Sequence, residues 1–524
     1  MKAKRAISLA LCLLMVLSVL TACGTKQTPA ATNAPTAAPA GTTAQGEQTP
    51  AETPTAQQFE HADLTMLIIS PMPNEDAYNR IAEEMSKITE EKFNVTMHIM
   101  NVTISDYANK MNMTLASGDP LDIFQGFTMY NQFVSMGYML DMTPYMDLCQ
   151  DALNVVGDTA KQGYSNGKLY SLPIINLGAT GGDSYAFRKD IIDELGIDLT
   201  QYKTFPELEE VLAKIKEAHP ELTPMMSGGS KATLTMIGDM INGKYYDGLG
   251  TSFVSIDPAD SNAKVEVNVK RAYWKQVADL AWDWAQKGLV GYDEISVDYD
   301  NVKAGRAAVI QQGNGPTALS EANSVCGYEM VLWQPQIDAK PYIITNNVWS
   351  WCITEYTEHP EQAMLVLNEL YINPELSNLL VWGVEGEHYQ FADKEKDLVT
   401  FLDGENPGNA KYYNLIKDNI PNLYICYEAV YDIPNKYEAY QNWKTERMQV
   451  SPYLGFVPNE DAYANEATAC KNILDQYTVA LLSGQLDPSV AYDKMISELD
   501  AAGIETIREQ VQLQLDAWIA ENGK

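Results

Sequence analysis

Five residues between positions 333 and 351 combine flat rings with side-chain amides: Trp333, Asn346, Asn347, Trp349 and Trp351. A second group follows at Trp382, Glu385, Glu387, His388 and Tyr389. Rings offer apolar faces, while amides and carboxylates offer hydrogen-bond donors and acceptors. A sugar presents the complementary surface, apolar C–H faces with a rim of hydroxyls, so these residues suit a carbohydrate pocket. The ligand candidates drawn from the two groups are Trp333, Asn347, Trp349, Trp351, Trp382 and Glu385. Tryptophan is also a common core residue, so the expectation is that at least one of Trp333, Trp349, Trp351 and Trp382 lines a cleft while others pack.

Glu385 and Glu387 lie two apart in a glycine-containing loop, and paired carboxylates invite a glycosidase reading. Spacing alone does not place them for acid–base work, which needs each group within reach of the proton it moves. The sequence has no GxSxG, no HExxH and no P-loop. With five histidines in the whole chain, a nucleophile–histidine system is poorly supported. Gly313-Asn314-Gly315-Pro316 reads as a turn. Asp298, Asp300 and Asn301 lack the spacing of an EF-hand loop. No catalytic residue, metal ligand or cofactor is assigned.

The elements that must position these groups read as α/β. Leu64–Ile69 is a continuous apolar strand, Asp76–Glu91 an amphipathic helix with Ile81, Met85 and Ile88 on one face, and Phe93–Met100 an alternating strand. Tyr107–Ala116 is helical, stopped by Ser117-Gly118-Asp119-Pro120, and Leu121–Phe124 is a third strand. This order implies a parallel sheet with helices on both faces. Ligands sit beyond the carboxyl ends of such strands, which singles out Asp122, Phe124 and Gln125. A second set follows Pro173: strands at Tyr185–Phe187, Ala307–Gln311 and Glu329–Trp333, with helices at Phe205–Ala218 and Tyr273–Lys287. Two α/β lobes are the simplest account, with the chain crossing near 173–185 and again near 313–350. Asp183 and Ser184 fall at the first crossing, and Arg188 is expected to pair with an acid. From Pro360 the chain reads as mainly helical, at 361–371, 374–382, 461–482, 488–502 and 504–519, with an extended stretch at 423–434.

The N-terminus carries Lys2, Lys4 and Arg5 before an apolar run, Ile7–Leu20, shorter than the ~20 residues that span a bilayer. This is a signal-peptide pattern ending in Leu20-Thr21-Ala22-Cys23-Gly24, a lipobox in which Cys23 is lipidated and becomes the new N-terminus. Thr25–Gln58 is built from Thr, Ala, Pro, Gln and Gly, a composition that cannot bury a core and reads as a tether. Lysine plus arginine number 36 against 70 acidic residues, giving −34, which argues against nucleic acid or anionic lipid as a partner. Of seven cysteines, Cys149, Cys326, Cys352, Cys426 and Cys470 remain in the body, none at zinc-ligand spacing, and read as free buried thiols, with one unassigned disulfide as the alternative in an oxidising location.

Several segments together resemble the carbohydrate-type extracellular solute-binding lipoproteins of ABC importers, in their large Gram-positive branch. They are Ala116–Ile123 (ASGDPLDI), Gly137–Pro144 (GYMLDMTP), Asn166–Pro173 (NGKLYSLP) and Phe187–Asp198 (FRKDIIDELGID). Trp382–Tyr389 (WGVEGEHY), Leu454–Phe456, Ala501–Ile504 and Gln514–Trp518 are similar to a narrower subgroup. The resemblance implies a two-lobed periplasmic-binding-protein-like fold with a mainly helical C-terminal third. It implies a signal peptide over 1–22, the lipidated Cys23 and tether over 23–58, and a first lobe of 59–180 plus part of 315–450. A second lobe of 181–315 plus part of 330–400 and a C-terminal region of 405–524 packed on the lobes complete the expected layout. It further implies a monomer anchored at the outer face of the cell membrane, binding a sugar or oligosaccharide and passing it to permease subunits, with no enzymatic step. A peptide-binding or sensory lipoprotein and a surface carbohydrate-active enzyme are the alternatives.

Overall fold

The structure, a computed structural model, describes residues 59–70, 74–104, 106–165, 167–175, 184–228, 231–234, 241, 243–313, 315–345, 349–406, 409–414 and 420–522. The signal segment, Cys23, the tether, Asp183, Asn346 and Asn347 lie outside these residues.

The main strands are, in chain order, β1 (Ala62–Ile69), β2 (Val95–Val102), β3 (Ile123–Gln125), β4 (Ser184–Arg188), β5 (Met225–Gly228), β6 (Val290–Asp293), β7 (Val309–Gln312), β8 (Met330–Trp333) and β9 (Trp351–Ile353). They form two sheets, ordered β9-β3-β1-β2 and β6-β5-β7-β4-β8. In the first, β1 runs parallel to β2 and β3, and β9 returns antiparallel to β3. Leu64, Met66, Leu67, Ile68 and Ile69 are all buried because helices cover both faces of a parallel strand. Helix α1 (Glu75–Phe93) opens where Asn74 accepts from the Ala77 N–H at 3.3 Å and ends at Asn94 in the left-handed conformation. Helix α2 (Tyr107–Ser117) stops at Gly118, also left-handed.

The second sheet is mixed. β5 is parallel to β6 and β7, but β4 is antiparallel to β7 and β8. Helices α3 (Leu208–Ala218) and α4 (Ala272–Gln286) bury Val211, Leu212, Ile215, Trp274, Ala281 and Trp284 against it.

Two large apolar cores correspond to two lobes. One gathers side chains from 62–172 and 351–429, the other from 185–333 and 453–515. The chain therefore changes lobe three times, over 173–183, 334–350 and 430–452. The sequence places crossings near 173–185 and 313–350. Helices α5 (Pro360–Ile372) and α6 (Pro374–Trp382) fill the first core. Helices α7 (Ala464–Leu482), α8 (Pro488–Ala502) and α9 (Ile504–Asn522) fill the second. In α9 the buried Ile504, Ile507, Val511 and Leu515 recur at helical spacing, which is why this helix lies flat on the lobe.

The stretch expected to be extended at 423–434 is instead a short 3₁₀ turn, Leu423–Ile425, followed by a two-residue strand, Glu428–Ala429. The Asn422 side chain accepts from the Tyr424 N–H at 3.1 Å and so nucleates the turn. All five body cysteines are buried free thiols. Burial pushes the Cys149 thiol up to about 12, far from a reactive thiolate. Among the described residues no helix is long and apolar enough to cross a membrane.

Candidate binding site

Strand register decides where a site can form. Gln125, at the carboxyl end of β3, stands opposite Trp351, the first residue of the antiparallel β9, and Trp351 also bridges to Leu172. Both the 173–183 and 334–350 segments thus attach to the first sheet beside Gln125. In the second sheet Ser184, the first residue of β4, stands opposite Gln312 at the carboxyl end of β7. Trp333, the last residue of β8, pairs with Tyr185. The same two segments therefore attach at the carboxyl ends of β5, β6 and β7. These two crossings join carboxyl edge to carboxyl edge, the edges where ligands sit in open α/β sheets. A two-residue parallel ribbon, Tyr342–Ile343 with Gln449–Val450, ties the second crossing to the third.

On the first edge Gln125 Nε2 donates to the Trp349 carbonyl at 3.3 Å. The half-buried Trp349 ring leans on Phe127, 4.9 Å between centroids, and Phe127 meets Tyr107 edge-on at 5.2 Å. The Tyr107 hydroxyl donates to the Gln125 carbonyl. An amide, an indole and a phenyl ring thus share one edge, braced from beneath by a buried tyrosine. One strand over, a cavity of about 470 Å³ lies between the end of β1 and the start of α1, lined by Ser70, Asn74, Glu75, Asp76, Lys411 and Tyr412. Asn74 Nδ2 donates to the Lys411 carbonyl at 2.7 Å and fixes one wall. On the opposing edge Ser184 Oγ donates to the Gly313 carbonyl at 3.1 Å, and Gln312 Nε2 donates to Glu321 at 3.1 Å. Asp293 accepts from the Ile295 N–H at 2.9 Å, the bond that chiefly holds its carboxyl below the usual range.

Of the residues expected at the site, Gln125 and Trp349 lie together at one sheet edge. The structure corrects five other expectations. Asp122 lies at the amino end of β3, away from the edge; its carboxylate accepts from the Thr65 N–H at 2.8 Å and the Thr357 hydroxyl at 2.5 Å. It clasps β1 to the loop after β9, and desolvation raises its pKa. Phe124 is fully buried, edge-on to Phe133 at 5.9 Å. Trp351 is fully buried within β9. Trp333 packs near Tyr185 and Phe205, and its indole N–H donates to the Tyr202 carbonyl at 2.8 Å. Trp382 is enclosed by Tyr413, Phe401 and Tyr389, its N–H donating to the Tyr427 carbonyl at 3.2 Å. For the four aromatic residues ring area is more stabilising inside a core than at an edge.

Glu385 is half-exposed and pairs with Lys394 at 3.2 Å, while Glu387 pairs with Arg80 at 2.9 Å. The two carboxylates that suggested acid–base chemistry are each engaged elsewhere. His388 Nδ1 accepts from the Val384 N–H at 2.9 Å, and burial lowers its pKa. Arg188 pairs with Asp190 at 2.6 Å, as expected. Asp298 pairs with Lys231 at 2.8 Å, and Asn301 Nδ2 donates to the Ser296 and Val297 carbonyls. Among the described residues no group of His, Cys, Asp and Glu is arranged to hold a metal ion.

Sequence reasoning missed Phe127, Ser70 and Asn74. The signal was present, because Ser70 follows β1 as Gln125 ends β3, and the carboxyl-end rule applies to both.

Comparison with known proteins gives two family matches. The bacterial extracellular solute-binding protein family matches residues 73–372, and a domain of unknown function (DUF3502) matches residues 452–520. A carbohydrate ABC transporter substrate-binding protein of Streptococcus pneumoniae is 26% identical over 453 residues, 85% of this chain and 89% of that protein. The crystal structure of an N-glycan transport solute binding protein from Streptococcus pneumoniae superposes with a TM-score of 0.74 at 24% identity, covering 88% of this chain and all of that one. Its complexes with Man1GlcNAc and Man5GlcNAc give 0.67 and 0.66. An extracellular solute-binding protein from Bifidobacterium longum subsp. infantis gives 0.61 at 15% identity, covering 87% and 98%.

Proposed function

The chain belongs to the bacterial extracellular solute-binding protein family, and from that premise we propose that it captures a carbohydrate or oligosaccharide between its lobes for an ABC importer. The observation that supports this reading is the strand register, which puts two crossings between the lobes at the carboxyl edges of both sheets. Trp349 and Phe127 offer the ring faces, Gln125 the amide, and the cavity at Ser70 and Asn74 further hydrogen-bonding groups. Asp183 and Asn347 belong to the crossing segments and are carried forward as ligand contacts on sequence grounds.

The work is differential affinity. A solute that touches both edges only when they approach stabilises the closed arrangement over the open one. No bond is made or broken, and ATP is hydrolysed by other subunits. The closed form is what the permease recognises. Cys23 carries the lipid that holds the protein at the outer face of the membrane, with 24–58 as tether. Replacing Cys23 with Ala releases the protein from membranes in this account.

The test is a thermal-shift and calorimetric panel of Man1GlcNAc, Man5GlcNAc, maltotriose, trialanine and glutamine. A glycan at a hundred times its Kd stabilises the fold by about 2.7 kcal/mol and is recovered unaltered. A response to the peptide or the amino acid alone contradicts the sugar assignment, and cleavage of a glycan at stoichiometric protein contradicts transport.

A further inference from the structure

We infer that Ile104 and Ile295 meet each other when the cleft closes, forming an apolar contact at its mouth that sets solute affinity without touching solute; this rests on the capture proposed above. The 173–183 and 334–350 segments attach to the first sheet beside β9, so β2 is the strand farthest from them. They attach to the second sheet at β4 and β8, so β6 is farthest there. Each far strand is followed, two residues past its carboxyl end, by an exposed isoleucine. Ile104 follows Val102 and is 50% exposed; Ile295 follows Asp293 and is 89% exposed.

Single exposed apolar residues are ordinary. These two differ in place, since each follows the carboxyl end of the strand farthest from the two crossings in its own sheet. Both are also displayed by fixed loops. The Thr103 hydroxyl donates to Asp106 at 2.6 Å, and the Lys110 N–H bonds the Asp106 carbonyl at 2.9 Å. After β6 the Ile295 N–H bonds Asp293, and Gly228 packs so closely that a Cβ there would lie 1.7 Å from the Asp293 carbonyl oxygen. Apolar area hidden only in the closed form adds to the closed state and nothing to the open one, so it shifts the equilibrium and lowers the apparent Kd.

The experiment is a double-mutant cycle with Ile104→Ser, Ile295→Ser and the pair, titrated with Man1GlcNAc and Man5GlcNAc. Each single change raises Kd three- to tenfold, leaves the melting temperature of the sugar-free protein in place, and the pair binds no worse than the weaker single variant. Ile295→Leu retains the wild-type Kd. Multiplicative losses in the pair overturn the contact, because they place each residue on the sugar independently. Unchanged Kd with reduced cellular uptake also overturns it, assigning the patches to the permease, and unchanged Kd with unchanged uptake removes any role. A wild-type chain that binds neither glycan while binding another panel member contradicts the sugar reading itself, and the contact falls with it.

Discussion

Trp349 and Trp382 are the same residue type, each in an aromatic-rich segment, and the fold uses them in opposite ways. Trp382 is 3% exposed, ringed by Tyr413, Phe401 and Tyr389, with its indole N–H bonded to Tyr427. Trp349 ends a crossing segment, leans on one ring, and is only half-buried. The first has both faces covered by its own chain. The second sits at the edge the topology turns toward the other lobe. The difference shows that a tryptophan's burial here follows from the strand end nearest to it, not from the residues beside it in sequence.

The largest effect that could break this contrast is on stability. Trp382→Ala should cost about 3–5 kcal/mol by opening a cavity in the first core. Urea unfolding of both variants checks it, since Trp349→Ala should lose far less. Next in size, Trp349→Ala should weaken glycan binding about tenfold, or ~1.4 kcal/mol. Calorimetry reads this, and normal binding by the variant would move the site elsewhere. A sharper distinction comes from Asp122. Its folded carboxyl pKa is raised by desolvation, so protonation is favoured in the folded state. Its contribution is therefore fully present at low pH and is lost as pH rises through the raised value. Wild-type stability relative to Asp122→Asn should fall as pH climbs out of the ordinary carboxyl range, by unfolding curves at successive pH values, with glycan affinity unaffected. The smallest effect is at Glu385, where replacement by Ala should change stability by less than about 0.5 kcal/mol and leave binding alone.

Much of the fold is legible in the chain. The apolar run of β1 and the 3.6-residue spacing in α1 and α9 place those elements, because periodicity is local. The antiparallel direction of β4 is not legible, since direction is set by which edge a crossing reaches. The third crossing is hidden for the same reason: 412–429 and 453–515 look alike as sequence yet fill different cores. Within the site, Gln125 could be named from the end of β3. Asp122, three residues earlier, could not be separated from it without knowing that the strand begins between them. Phe127 went unread because its partner Trp349 lies more than two hundred residues away.

The most direct test is a crystal structure of the chain with a bound glycan from the panel. The account predicts a sugar ring against Trp349 and hydrogen-bonded to Gln125, with further contacts from the Ser184 and Gln312 edge. A glycan held by one lobe alone, or seated away from both carboxyl edges, would contradict it.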